Sequence, residues 1–398
     1  MADLLSIAEA RAIIAAAVPG PPAAEEVAVE AALGLVLAEE VASAHAVPPF
    51  ASSAMDGYAV RSGPAGRRLA VVDEARAGHP AARAVGDGEA IAISTGAPLP
   101  EGADGVLQVE LVERDGDTVT LAEAVEPGRN VRPAGDDLRP GTVLLRPGTR
   151  LGPAELGVAV HAGRAALRCA VAPRVAVVST GDELVDAGEP LGPGQIHNSN
   201  ATTLASLALE AGADVFGLTG VPDTLADTEQ ALGDALEEAD VVLVSGGVSV
   251  GPHDHVKPAL EALGVEQLFW RVALRPGKPT WFGRRGGQLV FGLPGNPVSS
   301  MVTFLLFARP ALLALQGAPF APARRTAILA EAVERNAQRD EAVRVRLATD
   351  EDGRLTATPT GPQGSHILSS MLAADGLALV ERGEGELAAG SPVAVEPI

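Results

Sequence analysis

The amino-acid sequence predicts a multidomain α/β plus β protein built around a three-layer α/β domain with a parallel-rich sheet. Between residues 173 and 320 strands alternate with helices, which is typical of a parallel sheet covered on both faces. Short apolar runs separated by Gly, Pro and Asp fill residues 47–147 and 321–398, which predicts an inserted β domain and a C-terminal β-barrel-like domain. Residues 1–46 and 148–172 remain, and we expect them to form a helical linker domain.

The linker is predicted to be helical because apolar residues recur in it at helical spacing. Residues 4–18 and 27–40 have the pattern of amphipathic helices, and the Val-Pro-Pro-Phe stretch from Val47 ends this section, since consecutive prolines are excluded from helix interiors. A third helix is predicted within residues 148–163, with a proline in its first turn. We expect these separated parts to pack together, with the β domain inserted between them.

The elements of the α/β domain follow one another with little interruption. The first predicted helix has an Asn or Ser cap and a terminal Gly. The long apolar run at 298–315 contains Arg309 and Pro310, so we expect a buried helix and no membrane span. Strands are predicted at 174–180, 214–221, 240–247 and 288–295, and helices at 198–212, 223–239, near Lys257 and from Pro297 onward.

Composition excludes several classes of protein. The 398 residues are 47% hydrophobic and 20% charged, as expected of a globular chain. The formal net charge of -21 argues against nucleic acid or an anionic membrane as a partner, because both require a basic surface. Cys169 is the sole cysteine, so no internal disulfide can form, and the acidic N-terminal segment lacks the basic flank of a signal peptide. We therefore expect a soluble, cytoplasmic protein.

Three predicted strands of the α/β domain end in unusual loops, at 179–183, 245–251 and 294–297. Each loop alone is compatible with a simple turn or a helix start. Because the carboxyl ends of parallel strands meet at one edge of the sheet, the three together predict a ligand site. Glycine lets backbone amides approach a ligand, and successive amides form an anion-binding nest, so local donors would outweigh the net charge. The residues predicted to bind an anionic substrate there are Ser245, Gly246, Gly247, Ser249, Gly251, Pro294, Gly295, Asn296 and Pro297.

Lysine is rare in this chain, which has only Lys257 and Lys278 against 28 arginines. A GC-rich genome that favours arginine codons accounts for most of this bias. Both lysines nevertheless fall in glycine-rich motifs, where a compact ammonium is not replaceable by a planar guanidinium. We predict that Lys278 contacts the anion.

The acidic residues near the loops favour a hard cation over zinc. His253 and His255 bracket Asp254, but no third soft ligand lies nearby. The carboxylates of Asp56, Glu183 and Asp254 suit Mg²⁺.

Several motifs, taken together and in this order, resemble the molybdopterin molybdenumtransferases, the bacterial MoeA type and the equivalent domain of gephyrin. The motifs are PPFASSAMDGYAV, TGAPLPEGAD, STGDEL, SGGVSVGPHD, RPGKP, GLPGNPVSS and GSHILSSM. The resemblance implies four domains, with an α/β domain of the molybdopterin-binding type, and an elongated homodimer in which the linker domain takes part. It implies insertion of molybdate into adenylylated molybdopterin with release of AMP, assisted by a divalent cation, Mg²⁺. The active cleft would lie between one subunit's α/β domain and the partner's β domains.

The resemblance also assigns residues to that cleft. Asp137 stands beside Asp136, and either could be the acting carboxylate. Asp56, Glu183 and Asp254 would hold Mg²⁺ and orient the leaving phosphate. The catalytic residues implied are Asp56, Thr95, Asp136, Glu183 and Asp254, and the further substrate-binding residues are Lys278, Pro294, Pro297, Arg344 and Ser370.

The sequence departs from the family pattern at three positions. Arg275 stands where Lys is frequent, which keeps the charge but changes the donor geometry. Ala51 replaces a common Asp and Ala92 a common Arg, which leaves the choice between molybdate and tungstate open.

Two other functions are compatible with the same fold. A scaffold of the gephyrin sort would bind partner proteins, but it would not need the carboxylates Asp56, Glu183 and Asp254. A molybdopterin adenylyltransferase, working one step earlier, carries a different glycine loop from the Ser-Gly-Gly-Val-Ser-Val-Gly found here. A transferase is therefore the preferred function. We expect other proteins of molybdenum cofactor biosynthesis as further partners.

Overall fold

The computed structural model describes the chain at residues 4–20, 23–248, 251, 254–321 and 323–398. Within these residues the chain forms three six-stranded sheets, one each in the inserted, α/β and C-terminal regions. Each sheet has buried apolar clusters of its own, and one cluster joins the α/β and C-terminal regions. The α/β plus β class predicted from the sequence is confirmed.

Helix α1 (Ile7–Ala17) begins at a capping box. The Ser6 hydroxyl accepts a hydrogen bond from the Glu9 amide at 3.2 Å, and Glu9 Oε2 accepts one from the Ser6 amide at 2.8 Å. The helix predicted at residues 4–18 is therefore confirmed. Its buried face, which includes Ile14, belongs to the α/β core and not to the linker cluster.

The linker region combines helices with strands, and the helix predicted at residues 27–40 is wrong. This stretch holds the end of strand β1 (Ala24–Ala28), a 3₁₀ turn at Val29–Ala31 and isolated bridges before β2 (Val41–Ala42). Pairing with a distant segment overrides the helical spacing, because β1 lies antiparallel to residues 166–170. Buried residues from both halves of the linker form one cluster, so the two halves do pack together.

The inserted region is an all-β unit, as predicted. Six of its strands form a sheet in the order β7-β4-β6-β5-β9-β8, and the short strands β3 and β10 pair beside it. Strand β11 pairs back to β2 of the linker. The bounds are β3 (Ser52–Ser53), β4 (Gly57–Val60), β5 (Arg68–Ala75), β6 (Glu89–Ile93), β7 (Gly105–Gln108), β8 (Val112–Asp115), β9 (Thr118–Leu121), β10 (Val131–Arg132) and β11 (Val143–Leu145), with a 3₁₀ turn at Val109–Leu111.

The chain then returns to the linker through helix α2 (Pro153–His161) and strand β12 (Ala166–Ala170). The helix predicted within residues 148–163 is confirmed, and Pro153 occupies its first turn, where the missing amide hydrogen costs nothing. Strand β12 is the partner of β1.

The α/β region has three layers, because apolar clusters cover both faces of its sheet. The strand order is β16-β13-β17-β21-β20-β18; the first four strands are parallel, and β20 is antiparallel to both of its neighbours, β21 and β18. The bounds are β13 (Arg174–Thr180), β14 (Leu184–Val185), β15 (Ile196–His197), α3 (Ser199–Glu210), β16 (Asp214–Val221), α4 (Leu225–Glu238), β17 (Val241–Ser245), α5 (Val256–Ala262), β18 (Glu266–Trp270), β19 (Leu274–Arg275), β20 (Trp281–Arg285), β21 (Gln288–Leu293), α6 (Pro297–Thr303) and α7 (Arg309–Leu315).

Helices α6 and α7 form one continuous helical rod through a π-helical segment at Phe304–Ala308. By length and composition the rod could cross a membrane, but 72% of its most apolar window is buried inside the protein, as predicted for a core helix. Pro310 has no amide hydrogen and cannot bond the carbonyl of Leu306, four residues before it. That carbonyl instead accepts a hydrogen bond from Arg11 Nε of α1 at 2.8 Å.

The C-terminal region is a closed barrel of five strands, which confirms the barrel-like prediction. Strand β24 pairs with both β25 and β26, and β22 and β28 complete the circuit. Strand β19 of the α/β region pairs with β24 and joins the two regions. The bounds are β22 (Arg325–Leu329), β23 (Val333–Glu334), β24 (Asp340–Thr349), β25 (Leu355–Pro359), β26 (Gly376–Val380), β27 (Glu386–Leu387) and β28 (Pro392–Pro397), with a 3₁₀ turn at Leu368–Met371.

Candidate active site

The three predicted loops start at the same level of the α/β sheet. Strands β13, β17 and β21 are neighbours, and Ser245 at the end of β17 is in register with Ser179 on one side and Leu293 on the other. All three strands are parallel, so their carboxyl ends share one edge. The predicted convergence of the loops is confirmed.

Close packing explains the paired glycines at the end of β17. Gly246 has φ +97°, and a Cβ placed on it would lie 2.7 Å from the Thr180 carbonyl oxygen. Gly247 has φ +61°, and a Cβ there would lie 2.5 Å from Val256 Cγ2. The Gly246 amide donates to the Leu293 carbonyl at 3.1 Å and is therefore not part of an anion nest. Within the described residues the Gly247 amide has no acceptor, so it can donate to a ligand.

The third loop lies directly against the second. A Cβ on Gly295 would stand 3.7 Å from the Gly246 Cα, which places the two backbones in contact. Pro297 starts α6 after the cap residue Asn296, whose side chain makes no capping hydrogen bond and is exposed. Pro294 is buried and fixes the direction of the turn. Ser249 and His253 lie outside the described residues.

Asn200 is a residue of this site that the sequence reasoning missed. Its Nδ2 donates to Ser245 Oγ at 2.8 Å and to the Gly295 carbonyl at 2.7 Å, which ties the second loop to the third. The sequence predicts only an Asn or Ser cap in the Asn-Ser-Asn run, and Asn198 does cap α3. The signal available in the sequence was a second amide side chain, in the first turn of the predicted helix, which the cap does not explain.

A cleft of ≈ 90 Å³ opens between the loops. Its walls include Thr180, Glu183, Asn200, Ser245, Gly295 and Pro297. Thr180 Oγ1 is buried and has no hydrogen-bond partner among the described residues. An unsatisfied buried hydroxyl is costly, and such groups cluster at functional sites.

Two predicted carboxylates lie on the α/β region. Asp254 Oδ2 accepts a hydrogen bond from the Gly251 amide at 2.7 Å, which closes the end of the glycine loop. Glu183 lies in the loop after β13, where a Cβ on Gly181 would be 2.6 Å from Glu183 Oε2. Gly181, at φ +154°, thus leaves room for that carboxylate.

Other predicted catalytic residues lie on the inserted region. Asp56 Oδ1 accepts a hydrogen bond from the Thr95 amide at 2.8 Å, so the structure brings these two together. Asp137 Oδ2 lies 3.1 Å from His161 Nε2, whereas Asp136 is exposed and makes no ion pair among the described residues. Of the two carboxylates, only that of Asp137 has an ion-pair partner among the described residues.

The described part of one chain does not gather the predicted metal ligands. No group of three or more His, Cys, Asp and Glu side chains is arranged to hold a metal ion in those residues. Asp56 stands on the inserted region, while Glu183 and Asp254 stand on the α/β region. A site built from all three requires a second surface to meet the α/β edge.

The C-terminal barrel contributes a buried cation. Arg344 is fully buried, and burial lowers its pKa to about 10, so it stays charged at neutral pH. Its Nε donates to Ser370 Oγ at 3.2 Å, which brings these two predicted residues together. Its Nη1 has no partner, and no carboxylate pairs with it in the described residues. It lines a cleft of ≈ 190 Å³ with Arg275 and Glu341.

Lys278 is exposed beside this junction and follows β19. Its carbonyl accepts a hydrogen bond from the Val272 amide at 3.0 Å. This bond fixes the backbone of the bend that carries the ammonium. The neighbouring Arg275 is paired with Glu341 at 2.8 Å. Burial raises the pKa of Glu341 despite that arginine.

Matches to family models cover most of the chain. Residues 5–163 match "MoeA N-terminal region (domain I and II)", residues 176–314 match "Probable molybdopterin binding domain", and residues 326–398 match "MoeA C-terminal region (domain IV)". The fold and the site thus define a multidomain protein built around an α/β domain of the molybdopterin-binding class.

Similar proteins narrow this class to one family. The chain is 36% identical to "Molybdopterin molybdenumtransferase" of Haemophilus influenzae, over 99% of this chain and 98% of that one. It is 34% identical to the Bacillus subtilis protein of the same name, over 93% and 89%. A solved molybdopterin biosynthesis moeA protein from Pyrococcus horikoshii OT3 superposes with a TM-score of 0.85 at 29% identity, covering 100% of both chains. The chain belongs to the molybdopterin molybdenumtransferase (MoeA) family, which confirms the resemblance drawn from its motifs.

Proposed function

We propose that this chain completes the molybdenum cofactor by inserting molybdenum from molybdate into adenylylated molybdopterin, with release of AMP. One observation carries the proposal: three strand-end loops of the α/β sheet touch one another and form a cleft lined by Thr180, Glu183 and Ser245. Family membership supplies the class of reaction, since the relatives are transferases of molybdenum by name.

The loops supply the binding surface for the pterin nucleotide. The Gly247 amide and the Ser245 hydroxyl are the donors available to its phosphate. In a chain of net charge -21, these two local donors take the place of a positively charged surface. Pro294 and Pro297 hold the adjoining loop in one shape. Lys278 offsets part of the negative charge of the substrate.

The barrel residue Arg344 supports an oxyanion as the second substrate. A buried guanidinium without a carboxylate partner is costly unless an anion reaches it. Its unpartnered Nη1 is a donor of the kind that binds a tetrahedral oxyanion such as molybdate, while the Ser370 hydroxyl, which donates to the Ile367 carbonyl at 2.6 Å, holds the guanidinium in place.

The carboxylates suit Mg²⁺ only when surfaces from two subunits meet. Asp254 uses Oδ2 and Asp56 uses Oδ1 to hold their own loops, which leaves one oxygen of each for a hard cation. When bound, the cation would neutralise charge on the leaving phosphate. Glu183 and Asp254 of one subunit, with Asp56 of another, are the residues that would hold it.

A homodimer would bring these residues together. Asp56 and Thr95 belong to the inserted region and not to the α/β region that carries the loops, and we propose that the partner's inserted domain closes the cleft. Mixing Asp56→Ala and Glu183→Ala subunits tests this, because mixed dimers would contain one site with both carboxylates. Random mixing should restore about one quarter of wild-type sites. Activity that stays at the level of the two variants alone would reject a shared cleft.

The function is tested by molybdate-dependent AMP release from adenylylated molybdopterin. Glu183→Ala should abolish most of the rate, while Glu189→Ala, an exposed carboxylate in the same segment, should retain it. Equal rates for wild type and Glu183→Ala would remove Glu183 from the mechanism. Adenylylated product made from molybdopterin and ATP without use of molybdate would instead indicate an adenylyltransferase, and no nucleotide chemistry at all would indicate a scaffold.

A further inference from the structure

The Asn200 side chain is the direct link between two loops of the cleft. It stands in the first turn of α3, whose cap is Asn198. One side-chain nitrogen, Nδ2, reaches both Ser245 Oγ and the Gly295 carbonyl, at 2.8 and 2.7 Å. An amide nitrogen carries two hydrogens, so these bonds use its whole donor capacity.

The segment that carries Asn200 is also attached to the first loop. The Ile196 amide donates to the Glu183 carbonyl at 2.8 Å, and strand β15 pairs with β14 directly after that residue. The Asn198 amide donates to the Val185 carbonyl at 2.9 Å. The segment that carries Asn200 is therefore hydrogen-bonded to all three loops.

The hydrogen bond from Asn200 also determines how the Ser245 hydroxyl can use its own hydrogen. Ser245 Oγ accepts from Asn200, so its own hydrogen is left to donate elsewhere. Ser245 is 2% exposed and lines the cleft, so its hydroxyl is well ordered. An anionic substrate in the cleft requires donors, and Asn200 holds Ser245 in that role.

We propose that Asn200 is a positioning residue for substrate binding: it holds the Ser245 and Gly295 loops at a fixed separation and keeps the Ser245 hydroxyl as a donor toward the anionic pterin nucleotide. This inference rests on the proposed function and names a residue on which it depends. Aspartate lacks both donors, and a serine supplies only one, so an amide is the side chain that the geometry requires.

Asn200→Asp separates this role from helix stability. An aspartate in the first turn of α3 is favoured by the helix dipole, so the helix is retained, but both donors are lost and a carboxylate faces the Gly295 carbonyl. Asn200→Ala removes the side chain altogether. Thr202→Ala, an exposed position of the same helix outside the cleft, is the matched control.

The readouts are steady-state AMP release and equilibrium binding of adenylylated molybdopterin. We expect Asn200→Asp to lower kcat/KM roughly tenfold, mainly through KM, with the far-UV circular dichroism of the folded wild type. Ser245→Ala should be non-additive with Asn200→Ala, because the second change removes an interaction that the first has already broken. Thr202→Ala should match wild type in both readouts.

The inference would be overturned if Asn200→Asp and Asn200→Ala both had the same KM as the control variant Thr202→Ala. So would fully additive effects of Asn200→Ala and Ser245→Ala on binding. Failure of the proposed function looks different, since the wild-type chain itself would then release no AMP in response to molybdate.

Discussion

A buried ion pair between the two ends of the chain gives the sharpest stability prediction. Arg11 on α1 binds Glu396 on β28 through two hydrogen bonds, at 2.7 and 2.6 Å, and the side chains are 8% and 1% exposed. Arg324 adds a third bond to Glu396 at 2.9 Å. Glu396→Gln removes the charge that balances two arginines, one of them buried. Breaking a buried pair from one side costs about 3–5 kcal/mol.

The assay is urea unfolding at pH 7, compared with Glu266→Gln. Glu266 forms an ion pair of similar length with Arg284, but at 60% exposure, so its loss should cost at most about 1 kcal/mol. A Glu396→Gln variant no less stable than Glu266→Gln would refute the reasoning that burial decides the strength of this pair.

The pH dependence gives an independent check. Burial opposes the charge of Glu396, but the hydrogen bonds and charges of Arg11 and Arg324 together hold its pKa below the ordinary 4.5. A folded-state pKa below the unfolded one stabilises the protein above about pH 4.5, and the effect is lost as pH falls through the folded value. The stability difference between wild type and Glu396→Gln should therefore shrink as the pH is lowered from neutrality into that acid range.

Three further predictions concern the cleft. Gly246→Ala should cost about 1–3 kcal/mol in urea unfolding and raise the substrate KM, because a Cβ at φ +97° would meet the Thr180 carbonyl at 2.7 Å. Thr180→Val should raise stability by about 1 kcal/mol in the same assay, since it removes a buried hydroxyl that has no partner in the described chain. Arg344→Lys should raise the KM for molybdate about tenfold or more in AMP-release assays. A lysine ammonium cannot bond Ser370 and also present the further planar donors of a guanidinium to the oxyanion.

Each of these predictions has a contrary result. A fully stable Gly246→Ala variant would mean that the loop shifts freely, and a destabilised Thr180→Val would mean that the hydroxyl is satisfied in solution. Unchanged molybdate dependence in Arg344→Lys would move the oxyanion site away from the barrel.

The local pattern of the sequence was sufficient for the α/β strands and their loops. Strand β17 is apolar from Val241 to Val244 because it is buried on both faces, and Gly246 and Gly247 mark its end without reference to any other part of the chain. The order of strands and helices then placed the three loops at one edge, which the parallel pairing of β13, β17 and β21 confirms. The helix predicted at 27–40 failed because β1 finds its partner strand about 140 residues later, and spacing within a segment carries no information on such pairing.

The sequence by itself determined the class, the family motifs and the residue types of the cleft, since those depend on local periodicity and on short runs of glycine, proline and acid. Only the tertiary structure decided which of those residues meet. Asn200 reaches Ser245 across 45 positions and Arg11 reaches Glu396 across 385 positions, so no local pattern announces either contact. Hydrogen bonds and ion pairs are short-range, and their partners are fixed only when packing of the whole chain brings distant backbone segments within 3 Å or so of each other.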